Sequence, residues 1–321
     1  MMRRALVAVT TLVVLAVALP AAAQQYPTRP IEFVIPFATG GPTDTAIRLV
    51  QPQLAANLGV PVVLVNKPGG GGAVGMDGVA KARPDGYTVA ATVRSTVTIL
   101  PATQPDVTYK LSDFAVVGAY AFDSGVVLVK AGAPWKTLEE FVDHAKKNPG
   151  KVTYGSAGLG TNSFFNMELI KQAYGIELAH VPFSGSGPVK NALLGGHVPI
   201  GAAALSAVLS VVRSGDIVAL ATSAGKRLPI IPNTPTMTEK GHPDASLSTW
   251  MEIYAPARTP KPIVDRLSAA LEKTMKDPGV IAAVEKAGLT VEHHDPAATL
   301  TLIERENEVV VRLAKKLNLG Q

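Results

Sequence analysis

From Tyr26 onward, short apolar runs of β character alternate with longer segments in which apolar residues return every three or four positions. That alternation is the pattern of an α/β chain built on parallel sheets. Strands are expected at 31–35, 62–65, 87–92, 126–129, 152–154, 178–181 and 217–221. Between the first two, Ile47, Val50, Leu54 and Leu58 form one stripe of a helix that begins near Thr43. Thr137 followed three residues later by Glu140 reads as a capping box, opening a helix whose inward face is Leu138, Phe141, Val142 and Ala145. Ile263, Leu267 and Leu271, then Leu300, Ile303, Val310, Ala314 and Leu317, give the end of the chain the same helical period.

The first 23 residues break this pattern. Arg3 and Arg4 precede an uncharged apolar run, Pro20 ends it, and Ala21-Ala22-Ala23 offers an A-x-A cleavage site before Gln24. The run is about 15 residues, short of the ~20 that a spanning helix needs. A cleavable signal peptide over 1–23 and an exported protein are therefore expected. The paired arginines add only weak support for twin-arginine export.

Composition then removes whole classes of chemistry. With 321 residues, 47% hydrophobic and 17% charged, the chain is too apolar to be disordered and long enough for about two domains. It has no cysteine, so disulfides, thiolate metal sites and cysteine nucleophiles are all excluded. His144, His180, His197, His242, His293 and His294 show no metal-ligand spacing, so neither a metal nor a cofactor is expected. The charge is mildly basic, without lysine or arginine clusters and with 5% aromatics, which argues against a nucleic-acid surface.

Glycine and proline gather at the expected C-terminal ends of strands, the edge where open α/β sheets bind ligands. Three strand-to-helix turns share one design: 37–44 (FATGGPTD), 154–163 (YGSAGLGTNS) and 181–188 (VPFSGSGP). Each combines glycines, which admit close backbone approach, with hydroxyls at a helix start. Unsatisfied N–H groups and the helix dipole there attract a carboxylate or phosphate. Asp44 would repel such an anion and reads as a cap or turn organiser, with Arg48 its i,i+4 partner.

Other motifs carry less. Residues 70–75 satisfy G-x-G-x-x-G, but they follow the second strand, and Arg94, Ser95 and Thr96 stand where a ribose-binding acid belongs. No nucleophile elbow or Walker A motif occurs, and nothing in the sequence places a histidine beside Ser156 or Ser184. Arg94 is expected to face solvent, with the cleft as the alternative. Trp135 and Trp250 are expected to pack, Trp250 having a cleft flank as its alternative.

The 37–44 loop, Asn66-Lys67-Pro68 with its four glycines, Pro84-Asp85-Gly86-Tyr87, the 155–161 loop, His180-Val181-Pro182-Phe183, Leu194-Gly195-Gly196, Pro235-Thr236 and Ala255-Pro256 occur in one order. In that order the chain resembles the Bug family, the TctC-like extracytoplasmic solute receptors of tripartite tricarboxylate transporters. The resemblance covers essentially everything after Tyr26. It implies a type II periplasmic binding protein, two α/β lobes with mostly parallel sheets around a cleft. Lobe 1 would comprise 26–123 plus 251–321, and lobe 2 124–250. It further implies a periplasmic protein, expected to be a monomer, whose partners are a small-molecule carboxylate and the membrane subunits of a secondary transporter. Mapped by motif, the ligand-binding residues would be Thr39, Gly40, Gly41, Thr43 and Asp44 on one side. Ser156, Gly160, Thr161 and Ser163 would lie opposite, with Phe183 and Ser184 lining the third turn. Phe164 stands where the family often has histidine, Phe183-Ser184 replaces Tyr-Lys, and Ala192 replaces an aspartate. These losses of polarity imply an acid with an apolar or aromatic body rather than a citrate-like polyanion, and add Phe164 to the candidates. The competing functions are an exported small-molecule hydrolase and a sensory receptor on the same fold.

Overall fold

The structure is a computed structural model and describes residues 26–319. The expected signal peptide at 1–23 lies outside the described residues.

Two sheets organise the chain. The first has six strands in the order β11-β4-β10-β3-β1-β2 and the second five in the order β7-β6-β8-β5-β9. Strands β1 (Ile31–Ile35), β2 (Val62–Asn66) and β3 (Thr88–Val93) are mutually parallel, as are β6 (Thr153–Ser156), β7 (Ala179–Pro182) and β8 (Ile200–Ala204). The remaining strands run antiparallel: β10 (Thr249–Pro256) lies between β3 and β4 (Phe114–Asp123), and β11 (Thr290–His294) borders β4. In the second sheet β5 (Gly125–Lys130) lies between β8 and β9 (Ile217–Thr222). The expected mostly parallel sheets are thus mixed. The physical reason is connectivity: β5 and β10 are where the chain passes from one sheet to the other, and they enter against the direction of the three-stranded parallel groups.

Each expected strand is present to within a residue or two. Four others, β4, β8, β10 and β11, are additional. In α1 (Pro42–Leu58) the stripe Ile47, Val50, Leu54 and Leu58 is buried with Ala46 against the first sheet, Pro42 opens the first turn, and Gly59 closes it in the left-handed conformation at φ 80°. In α4 (Leu138–Lys147) the Thr137 hydroxyl accepts from Glu140 N at 3.2 Å, and the four expected residues are buried. The remaining helices are α2 (Ala73–Ala80), α3 (Ile99–Thr103), α5 (Asn162–Tyr174), α6 (Ser186–Leu194), α7 (Leu205–Arg213), α8 (Lys261–Met275), α9 (Pro278–Lys286) and α10 (Pro296–Lys316).

Apolar clusters cover both faces of both sheets. Fully buried Phe33, Phe141, Phe165 and Tyr254 illustrate their content, each large side chain removed from water contributing about 1.5–3 kcal/mol. Trp135 packs on Phe141 as expected. Helix α10 belongs to both halves: Ile303 joins the cluster of Tyr254 on the first sheet, whereas Val310 and Leu313 join that of Phe141 on the second.

Candidate functional site

The first turn is shaped around Asp44. Its Oδ2 accepts from Gly40 N at 2.9 Å and Arg48 Nε at 2.8 Å, and its Oδ1 from Asn66 Nδ2 at 2.9 Å. Arg48 Nη2 donates to Asn66 Oδ1 at 3.1 Å, and Asn66 Nδ2 also reaches Phe37 O at 3.0 Å, closing the ring. Chiefly through Arg48, these contacts hold the Asp44 carboxyl down at about 2. Asp44 therefore organises the turn, and its charge is already paired. Gly40 needs its φ of +84°, which a side chain would strain.

Gly41 caps α1 without any side-chain hydrogen bond. Pro42 has no N–H, so the N–H groups of Thr43 and Asp44, the next orphan donors of the helix, receive no cap. Gly185 likewise caps α6 without a side chain. Helices α4, α9 and α10, by contrast, are capped by Thr137, Asp277 and Asp295. Thr39 and Gly40 are exposed, Gly41 is half-buried and Thr43 is buried.

The second and third turns are brought together by the β6–β7 pairing, where Phe183 N donates to Ser156 O at 2.9 Å. Thr161 caps α5, its hydroxyl accepting from Phe164 N at 3.4 Å and donating to Gly158 O at 2.7 Å. Ser163 Oγ accepts from Ala157 N at 3.0 Å and lies 3.0 Å from Thr161 Oγ1. Gly160 and Thr161 are half-buried, Ser156 and Ser163 are buried, and Ser184 is exposed. Asn162 Nδ2 donates to Ser248 O and Thr249 Oγ1, at 3.2 and 3.0 Å, tying this loop to the strand that returns to the first sheet. From the first half of the chain, Thr103 comes near: a Cβ on Gly160 would lie 3.9 Å from its Oγ1.

The phenylalanines divide. Phe183 is half-buried with its ring over Gly155, where a Cβ would meet it at 3.0 Å. Phe164 is only 4% exposed and belongs to the core, with its ring against Phe165 and His180.

Two expectations need correction. Arg94 is 3% exposed and faces neither solvent nor the turns. It donates to Glu252 Oε1 from Nη2 at 2.6 Å and Nε at 2.8 Å, and to Glu306 Oε2 from Nη1 at 3.2 Å. Its guanidinium also lies 5.0 Å from the Trp250 ring. Glu252 sits inside β10 and Glu306 on α10, acids whose distance in sequence hid the pairing. Arg94, Trp250 and Glu306 line a cavity of about 570 Å³ that none of the three turns borders.

The second correction is that a histidine does stand beside Ser156. His180 Nε2 is 2.7 Å from Ser156 Oγ: the parallel register sets His180 opposite Tyr154, two residues before Ser156 at the end of β6. The ring stacks on Tyr154 at 4.9 Å, and Tyr154 donates its hydroxyl proton to Glu168 Oε1 at 2.6 Å. The contact fixes the Ser156 hydroxyl against the imidazole. Among the described residues no carboxylate hydrogen-bonds His180. The nearby N–H groups of Ala157 and Gly158, which an oxyanion would need, already donate to Ser163 and Ser156.

The sequence of residues 46–319 matches the family described as the tripartite tricarboxylate transporter family receptor, TctC. This chain belongs to that family. It is 33% identical over 276 residues to BugT of Bordetella pertussis, a match covering 85% of each protein. Among solved structures it is similar to MatC from Rhodopseudomonas palustris with bound malate, with 30% identity, a TM-score of 0.74, and coverage of 89% of this chain and 99% of that one. It is also similar to R. palustris Rpa4515 with adipate, with 27% identity, a TM-score of 0.77, and coverage of 90% and 97%. The receptor thus shares the periplasmic binding protein fold, and its family is one of solute-binding proteins rather than enzymes.

Proposed function

We propose that this receptor is a periplasmic protein that captures a small carboxylate between two lobes and delivers it to the membrane subunits of a tripartite tricarboxylate-type transporter. The observation that carries this reading is the glycine-capped start of α1, with uncapped N–H groups and the charge of Asp44, the acid of its first turn, paired with Arg48. The lobes would be 26–123 plus 251–321 and 124–250, acting as a monomer after cleavage behind Ala23. Thr39, Gly40, Gly41 and Thr43 would grip the acid from one side and Ser156, Gly160, Thr161, Ser163 and Ser184 from the other. Asp44 would shape the first turn, while Phe183 supplies an apolar contact and Phe164 backs His180 from the core.

Malate bound to MatC and adipate bound to Rpa4515 support a carboxylate ligand. Phe183, the half-buried phenylalanine of the two, favours an apolar-bodied acid such as adipate over citrate. Closure follows from differential affinity, since a ligand that touches both lobes only when they are closed shifts the population toward that state.

The test is a thermal-shift screen against malate, adipate, citrate, benzoate and terephthalate, followed by calorimetry. A ligand at a hundredfold excess over Kd adds about 2.7 kcal/mol to the folded state. Adipate or an aromatic acid should raise the melting temperature without being consumed. Submicromolar citrate binding with no heat from the apolar acids would overturn the ligand class, and turnover of an ester panel would overturn the receptor reading.

A further inference from the structure

Resting on that reading, we propose that His180 is a positioning residue that makes carboxylate capture proton-linked: binding of the acid at the Ser156 loop draws a proton onto the imidazole. The hydroxyl of Ser156 has one proton to give. Its oxygen lies 2.7 Å from His180 Nε2 and 3.3 Å from both the N–H and the carbonyl oxygen of Gly158. When Nε2 is bare, Ser156 donates to it, and the oxygen turns only lone pairs toward the loop. When Nε2 carries a proton, the ring donates, and the hydroxyl proton is released toward Gly158 O or an incoming carboxylate oxygen. An imidazolium enforces the second arrangement and places a positive charge one hydrogen bond behind the anion.

The surroundings leave that charge without a counter-ion until the ligand arrives. The charged groups that face His180 are Glu168 and Lys171 of α5, and they are paired with each other at 2.8 and 2.9 Å. Glu168 also accepts from Tyr154, which stacks on the ring from β6, and Phe164 of α5 covers a further side. Burial pushes the imidazole below its ordinary range, so the empty receptor holds it neutral at pH 7. A carboxylate at Ser156 reverses that balance and raises the affinity of His180 for a proton. By linkage the acid binds most tightly below the pKa of the empty protein. Its affinity weakens as pH rises from that value to the higher value of the complex, and is constant beyond it.

The test is calorimetric titration with adipate at about pH 6 and about pH 8, in phosphate and in Tris, whose ionisation heats differ. Nuclear magnetic resonance of the His180 ring with and without adipate accompanies it. A rise of one pKa unit on binding corresponds to at most tenfold in Kd, so binding should be several-fold tighter at pH 6 than at pH 8, with net proton uptake and an upward shift of the ring titration. In His180→Gln the affinity should no longer change with pH and proton uptake should vanish. Should that variant fail to fold, Ser156→Ala keeps the ring, and its ring titration should then respond less to adipate. Binding with equal affinity at both pH values and no proton uptake overturns the proposal and leaves the receptor reading intact. Absence of binding by every acid of the panel overturns that reading and this proposal with it.

Discussion

Substituting Gly41 by valine separates the shape of the first turn from its proposed role as an anion clamp. Gly41 has φ −74° and ψ 168°, extended backbone open to any residue, and a Cβ there would meet only Ala38 O at an ordinary 3.5 Å. Gly41→Val should therefore fold, losing about 1 kcal/mol because valine is a poorer N-cap than glycine. What it changes is access: a branched side chain now stands where α1 begins, beside the uncapped N–H groups of Thr43 and Asp44. A hydrogen bond to a charged group contributes about 1.5–3 kcal/mol. At about 1.4 kcal/mol per decade, losing one weakens binding roughly 10- to 150-fold. Calorimetry with adipate gives the affinity and a circular dichroism melt gives the stability. Gly40→Val is the contrast, since its φ of +84° makes it a folding lesion of roughly 1–2 kcal/mol. Wild-type affinity in a folded Gly41→Val would refute the assignment of this loop as the clamp.

Two further predictions concern buried carboxyls. The Asp44 pKa is lowered from 3.8 to about 2, so its contribution to stability is complete above the first value and lost as pH falls through the second. Acid melts should show this slope in the wild type and a shallower one in Asp44→Asn, which should also be the less stable at pH 7; identical slopes would contradict the role given to the Asp44 ring. Glu306 is shifted the other way, burial pushing it from 4.5 up to about 7 against the opposing pull of Arg94. The folded protein then holds the extra proton, and stability falls as pH rises through that window. Glu306→Gln should flatten the fall in melting temperature between about pH 5 and pH 7, and a wild-type profile in the variant would show that another group is responsible.

How much of this was legible in the sequence depended on whether the deciding contact was local. The α1 stripe and the Thr137 cap involve residues within a few positions of one another, and both are present as read. Strand β8, Ile200-Gly-Ala-Ala-Ala204, has Ile200 as its one β-branched residue, with glycine and alanine filling the rest, and forms because β5 and β6 flank it. Strand β10 carries Glu252 in its interior, a residue that argues against a buried strand until Arg94 is known to lie beside it. Strand β11 is half-buried along its whole length at a sheet edge, so no alternation announces it. The candidate turns were visible because glycine, hydroxyl and helix start are neighbours in the chain. His180 was not assigned to one of them because its meeting with Ser156 depends on the β6–β7 register, which periodicity does not reveal.

The ring of Asp44, Arg48 and Asn66 bears on how such a receptor diversifies. Its members bond to one another and to the loop backbone, so the shape of the turn is independent of which acid it meets. Thr39 and Ser184, exposed on the first and third turns, carry no such duty to the frame. On the proposed site, a lineage would exchange one carboxylate for another by altering those outer positions while the frame stays fixed, and an engineer seeking a biosensor for a new acid should randomise Thr39 and Ser184 before touching Asp44.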